Sequence, residues 1–343
     1  MSDKRNYKII QKLGQGSFGT AYKVLNKKDK KFYVLKEMIL QNLKKEDLNE
    51  IFKEASILAK LQNDYIVRYV DSFFENNRFN IVMEFCEGLD LRQFINENKK
   101  KNKFIAINLI YSFILDLAEG IKYLHSNNII HRDLKPDNIF IDKSNRLKIG
   151  DFGISIKLNN TRYADTKTGT FIYMAPEIIK GEKYNNKVDI WALGCIIYEL
   201  CTLNLCFYDS SILGLCNKII KENHGKINLN LYSSNLQNLI DIMLCKNYKM
   251  RPNIDEVYNL VNKEINNSLL SPYLPHNKYY TKIHPHPLFF LGLSRNNGWA
   301  CNGKFLEKKC FSGITDFNQS TGIPRFRCET CDFDLCRKCM DYY

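Results

Sequence analysis

Two short stretches of this chain concentrate residue types that can do chemistry. His131-Arg132-Asp133-Leu134-Lys135-Pro136-Asp137-Asn138 is followed, one hairpin later, by Asp151-Phe152-Gly153, and each lies on a loop inside β-branched sequence. In this spacing Asp133 would orient a substrate hydroxyl and accept its proton, while Lys135 would steady a transferring phosphoryl group. Asn138 and Asp151 offer an amide and a carboxylate oxygen to Mg2+ (or Mn2+). Such a hard cation fills the rest of its shell with phosphate oxygens and water. The chemistry that fits these groups is phosphoryl transfer.

Three upstream features belong to the same chemistry. Gly14-Gln15-Gly16-Ser17-Phe18-Gly19 joins two strands, and glycines there let backbone N–H groups approach phosphate oxygens. The next strand carries Lys36, whose ammonium would sit over the α- and β-phosphates if a carboxylate held it. Helical spacing points to Glu54, three residues after Ile51 and four before Leu58, at the edge of an apolar stripe. Glu50, one turn earlier, is the alternative.

The elements that must position these groups follow from hydrophobic periodicity. Alternation predicts strands over 7–13, 20–26 and 31–39, a helix over about 44–61, and strands over 67–75 and 78–84. Phe85-Cys86-Glu87-Gly88 reads as a connector, after which the pattern is mainly helical to about Asn262. Asn266-Asn267-Ser268, Pro272 and Pro275 mark 263–282 as a linker, and 283–343 as a separate Cys/His-rich module. The expected fold is α+β and bilobal: a small β-rich lobe, a larger helical lobe over 7–262, and a small zinc-stabilised C-terminal module.

Composition narrows the classes. At 343 residues and 45% hydrophobic, the chain can bury a large bilobal core with room for one small module. No run of about 18 apolar residues occurs, so neither a signal peptide nor a membrane span is expected, and the expected location is cytoplasmic, with association with the nucleus or cytoskeleton left open. The net charge of +13 would suit an acidic partner, but lysine is interleaved with asparagine, as in Asn96-Glu97-Asn98-Lys99-Lys100-Lys101-Asn102-Lys103. That pattern reads as a solvated surface, and nucleic acid is not an expected partner.

With these residues in place, 7–262 resembles a eukaryotic protein kinase catalytic domain along its whole length. Ala175-Pro176-Glu177 is similar to the end of the family's activation segment and Asp189-Ile190-Trp191-Ala192-Leu193-Gly194 to its central buried helix. Arg251 stands where the family's late arginine pairs with a glutamate, here Glu177. Lys135-Pro136-Asp137-Asn138 and Gly169-Thr170 resemble serine/threonine kinases rather than tyrosine kinases, which implies protein Ser/Thr hydroxyls as substrates. Ala21 and Val34 exchange the sizes usual at two adenine-facing positions, which roughly keeps the pocket volume. That exchange, with Ile81-Val82-Met83-Glu84-Phe85-Cys86, resembles the NIMA-related (Nek) group.

The resemblance implies an ATP site formed by Leu13, Gly14, Gly16, Gly19, Ala21, Val34, Lys36, Met83, Glu84, Cys86 and Asp90, with Met83 as gatekeeper. Leu89 stands where a second glycine is common, a harmless exchange, whereas Phe171 replaces a common proline in the pocket for the substrate's following residue, so no substrate consensus is expected. It also implies regulation. Arg132 would receive a phosphate placed on Thr166, with Thr168, Thr161 and Tyr163 as alternatives. Leu58, Tyr69, His131 and Phe152 match the family's stacked spine, and the Tyr69 ring would swing into the nucleotide cleft to hold the helix of Glu54 outward.

The tail carries Cys328-x-x-Cys331 and Cys336-x-x-Cys339, preceded by His284, His286, Cys301 and Cys310. Two CxxC pairs this close indicate zinc, and the short gap between them suits two ions in a crossed arrangement. His284, His286, Cys328 and Cys331 would hold one, and Cys301, Cys310, Cys336 and Cys339 the other. Disulfides are the alternative, disfavoured because the other six cysteines are scattered singly. The segment resembles cross-braced zinc modules of the ZZ type, or divergent relatives of cysteine-rich diacylglycerol-binding domains. Asp316, Glu329, Asp332 and Asp334 read first as solvated surface carboxylates and alternatively as a face for a basic protein or peptide ligand. Against an active kinase stands a catalytically silent scaffold that binds partners through the same fold and tail.

Overall fold

The computed structural model describes residues 6–16, 19–39, 59–150, 168–267, 278–281, 284–293, 324–328 and 334–336. They divide into two compact units. The first contains 1–105 with 113–260, and the second 106–112 with 261–343.

In the first unit, strands β1 (Tyr7–Gly16), β2 (Gly19–Asn26), β3 (Phe32–Ile39), β4 (Tyr69–Glu75) and β5 (Arg78–Glu84) form one sheet in the order β1-β2-β3-β5-β4. Every neighbouring pair is antiparallel. Period-2 alternation dictates the two faces. Val24, Tyr33, Leu35, Phe73 and Val82 form a buried cluster with Tyr7, which stacks on Phe73. β1 continues past Leu13, where the sequence predicts its end, because pairing persists through Gly14↔Ala21 to Gly16↔Gly19.

The helical lobe starts at α1 (Leu91–Lys100), N-capped by Asp90, whose Oδ1 accepts the Gln93 N–H at 2.7 Å. After α2 (Ile107–Ser126) come a short hairpin of β6 (Ile139–Ile141) and β7 (Leu147–Ile149) and the one-turn α3 (Pro176–Ile179). At the centre is α4 (Lys187–Thr202), buried continuously from Val188 to Cys201. Trp191 of α4 stacks on Phe207, and a helix apolar all round belongs in the middle of a lobe. Of the helices that follow, α5 (Ile212–Lys221), α6 (Ser234–Met243) and α7 (Ile254–Asn267), α6 packs against α4. The lobes join where β7 runs beside the segment leading into β4: Ile149 N donates to Tyr65 O and accepts, through its carbonyl, from Val67 N, both at 2.8 Å.

The second unit contains a four-stranded antiparallel sheet in the order β11-β10-β9-β8, with β8 at Lys278–Thr281, β9 at His284–Leu293, β10 at Pro324–Cys328 and β11 at Asp334–Cys336. The stretch 263–282, read from sequence as a linker, is helical to Asn267 and extended over Lys278–Thr281. Among the described residues, no helix is long and apolar enough to cross a membrane.

Candidate active site

On the sheet, strand register puts several candidate nucleotide residues on one face. Ala21 pairs with Lys36, Lys36 with Ile81, and Val34 with Met83. Directly paired residues and residues two apart share a face, so Ala21, Val34, Lys36 and Met83 lie together, opposite the buried cluster. The glycines differ in what they need. A side chain at Gly14 would meet nothing within 4 Å, whereas at Gly19, with φ of 152°, a Cβ would lie 1.9 Å from the Glu37 carbonyl oxygen. Gly19 is therefore required by the β2–β3 approach itself.

The loop before β6 is organised around Asp133. Lys135 Nζ donates to both Asp133 carboxylate oxygens, at 3.0 and 2.8 Å. Asn138 Nδ2 donates to the Asp133 carbonyl at 2.8 Å and to its Oδ2 at 2.9 Å. With its nitrogen committed in this way, the Asn138 amide keeps its oxygen as the donor atom for a hard cation, so this residue fits Mg2+. His131 Nδ1 accepts the Asp133 N–H at 3.3 Å, which leaves Nε2–H to donate to the Gly150 carbonyl at 3.0 Å. Gly150 N in turn donates to Asn138 O at 2.8 Å, tying this loop to the residue just before Asp151.

Beneath the loop lies Asp189 of α4, 1% exposed. Its carboxylate accepts from the backbone N–H groups of His131 and Arg132, each at 2.9 Å, and from His125 Nε2 at 2.8 Å. Arg132 sits at φ of 68°, a left-handed conformation that a non-glycine residue keeps only when its surroundings hold it. Its guanidinium lies 5.6 Å from the centre of the Tyr184 ring.

The connector between the lobes is fixed by Glu84. Its Oε1 accepts Lys148 Nζ at 2.7 Å and the Arg68 N–H at 3.2 Å. Burial pushes the neighbouring Cys86 thiol up to about 12. Leu13 is exposed on β1, and Tyr69 on β4 pairs directly with Met83, its phenol raised by burial. Asp90 caps α1 and sits half-buried, and that burial raises its carboxyl. Thr168 opens a short helical turn over Thr168–Tyr173. Glu177 and Arg251 form a bidentate, fully buried pair at 2.6 and 2.7 Å.

Glu54 and its alternative Glu50, Leu58, Asp151, Phe152, Thr161, Tyr163 and Thr166 lie outside the described residues, as do Cys301, Cys310, Cys331 and Cys339. His284, His286, Cys328 and Cys336 fall on strands of the second sheet. Among the described residues no cluster of three or more His, Cys, Asp or Glu could hold a metal ion.

Two partners in this region escaped the sequence reading. Glu199 of α4 is bound by Arg92 of α1, 107 residues away, and by the Tyr173 hydroxyl. A signal existed: a carboxylate in the apolar run Ile196-Ile197-Tyr198-Glu199-Leu200 must be compensated if the helix is buried. Nothing local identifies Arg92 as the compensating cation.

A sheet joined by a short connector to a helical lobe, with an aspartate–lysine–asparagine loop seated on a buried carboxylate, defines the bilobal phosphotransferase fold of the kinases. Residues 7–261 match the family model described as "Protein kinase domain", and the chain belongs to that family. Among similar curated proteins, the serine/threonine-protein kinase Nek11 of Macaca fascicularis is 40% identical over 257 residues, covering 74% of this chain and 40% of that relative. The probable serine/threonine-protein kinase nek2 of Dictyostelium discoideum is 35% identical over 274 residues, covering 78% of this chain and 65% of that relative. Serine/threonine-protein kinase Nek1 of Mus musculus is 37% identical over 252 residues, covering 73% of this chain and 21% of that relative. The chain thus spans less than two thirds of the length of these relatives.

Proposed function

We propose that this chain is a Nek-like serine/threonine protein kinase that transfers the γ-phosphoryl group of ATP to protein hydroxyls. One observation carries the reading: the Asp133 carboxylate is held at once by Lys135 and Asn138. Asp133 orients the attacking hydroxyl and accepts its proton, and Lys135, already beside that carboxylate, meets the charge that develops on the transferring group. Asn138 turns its amide oxygen to a cation, and Lys36, with Ala21, Val34 and Met83 on one sheet face, binds the nucleotide. Bound MgATP supplies the phosphoryl group and the charge neutralisation its transfer needs. The relatives' printed names, all serine/threonine kinases, support the choice of hydroxyl. Arg132 donates to a phosphate carried by Thr166 of the activation segment, and Tyr69 gates the nucleotide cleft.

The second unit is a zinc-binding module that takes a protein or peptide ligand. The register of Cys328, which pairs with Leu288 two residues from His286, supports this. Phosphoamino-acid analysis after incubating the full chain with γ-labelled ATP and a mixed protein substrate tests the kinase reading. Label on serine and threonine is expected, and label on tyrosine alone overturns it. Metal analysis of the purified chain should return about two zinc ions, the number that eight ligands hold in tetrahedral sites, and a metal-free chain overturns the module.

A further inference from the structure

A cavity of about 460 Å³ opens beside the catalytic loop, lined by Lys135 and Asp137 together with Arg92, Ile172, Tyr173 and Glu199. Lys135 is the residue that also holds Asp133, so a peptide presenting its hydroxyl to Asp133 has neighbouring side chains within reach of this cavity. What the cavity favours depends on Glu199, whose carboxylate is 4% exposed. An unneutralised carboxylate there would be a strong attractant for an arginine or lysine of the substrate.

In this chain that carboxylate is already occupied from within. Arg92 Nη1 donates to Glu199 Oε1, Arg92 Nη2 to the Tyr173 hydroxyl oxygen, and the Tyr173 hydroxyl to Glu199 Oε2 at 2.5 Å. Burial works against the Arg92 charge, but Glu199 overrides it and holds the guanidinium above its ordinary value. Burial and then Glu199 raise the Tyr173 phenol, so it remains a hydroxyl donor. The other acid on the cavity wall, Asp137, is 51% exposed and touches Arg92 Nε only at 3.4 Å. A pair formed there is screened by water and worth little. Lys99, also on the wall, adds a positive charge.

We propose that Arg92 is a specificity-determining residue: by occupying Glu199 from inside the protein, it turns basic substrate side chains away from the cavity beside Lys135. The inference rests on the kinase reading and deepens it. It makes Arg92 a selector rather than a mere structural pair, and the two roles separate experimentally.

The test uses the full chain and a serine peptide with uncharged flanks, together with versions carrying one arginine at each flanking position in turn. Wild type is expected to gain no more than about twofold in kcat/KM from arginine at any position. Arg92→Ala is expected to gain about tenfold or more at one position, the equivalent of one charge-assisted hydrogen bond. The double variant Arg92→Ala/Glu199→Gln is expected to lose that gain. Should Arg92→Ala fail to fold, Arg92→Lys takes its place: the single ammonium nitrogen does not reproduce the planar fork whose two Nη groups reach Glu199 and Tyr173, so a smaller gain at the same position is expected. A wild type that prefers arginine, an Arg92→Ala that labels the neutral peptide without any arginine gain, or an Arg92→Lys indistinguishable from wild type overturns the inference while leaving the kinase reading standing. A wild type that labels no peptide at all overturns both.

Discussion

The Asp189 carboxylate accepts the backbone N–H of Arg132 at 2.9 Å, in a loop where Arg132 is held at φ of 68°. This buried acid on the central helix sets the shape of the loop one residue before Asp133, so loop geometry and lobe stability depend on the same group. Asp189→Asn keeps the shape but presents only one acceptor oxygen, and its amide nitrogen faces a backbone N–H. We expect a loss of about 2–3 kcal/mol in urea unfolding, within the range for spoiling a buried charged hydrogen-bond network. We also expect kcat to fall at least about tenfold with little change in KM for ATP, because Asp133, the proposed proton acceptor, is displaced rather than the nucleotide face.

The Glu177–Arg251 pair separates energetic worth from fold specification. Removing one member by Arg251→Met leaves a buried carboxylate uncompensated, and urea titration should show a loss of about 3–5 kcal/mol. Arg251→Met with Glu177→Leu should recover most of that loss, because two apolar groups avoid the desolvation cost of both charges.

Gly14 and Gly19 should respond differently to alanine. At Gly19 the added carbon meets the Glu37 carbonyl at 1.9 Å, so Gly19→Ala should lower the melting temperature by several degrees, corresponding to about 1–3 kcal/mol of backbone strain. At Gly14 nothing lies within 4 Å, so Gly14→Ala should leave melting unchanged and raise KM for ATP if the loop approaches the phosphates.

Asp116 provides a pH test. Burial pushes its carboxyl from an ordinary 3.8 up to about 8, although it accepts the Leu147 N–H at 2.9 Å. Between those values the folded chain keeps a proton that the unfolded chain has lost. The stability from this group is therefore complete below about pH 4 and is lost as pH rises through 8. Asp116→Asn retains an acceptor for Leu147 and carries no charge, so it should stabilise the protein more at pH 8 than at pH 5, read as the difference in melting temperature.

Much of this architecture is legible in the sequence because it is written locally. The alternation around Tyr33-Val34-Leu35-Lys36 specifies both a strand and its two faces, and the polar run from His131 to Asn138 stands out against β-branched neighbours. The end of β1 was not legible, since pairing across the glycine turn continues through residues that carry no hydrophobic signal. Nor were the supports of the site. Asp189 meets Arg132 across 57 residues and Glu199 meets Arg92 across 107. A buried carboxylate announces that it needs a partner, but only the fold, which brings Arg92 of α1 to Glu199 of α4, selects which cation supplies it.

The central claim is that Asp133 is the proton acceptor in phosphoryl transfer to a protein hydroxyl. Its most direct test is incorporation of label from γ-labelled ATP into a generic protein substrate by the full chain, comparing wild type with Asp133→Asn. The account predicts steady labelling by wild type and a rate lower by a factor of about 100 or more in the variant, the usual contribution of a positioned general base. Equal labelling by the two proteins would contradict it.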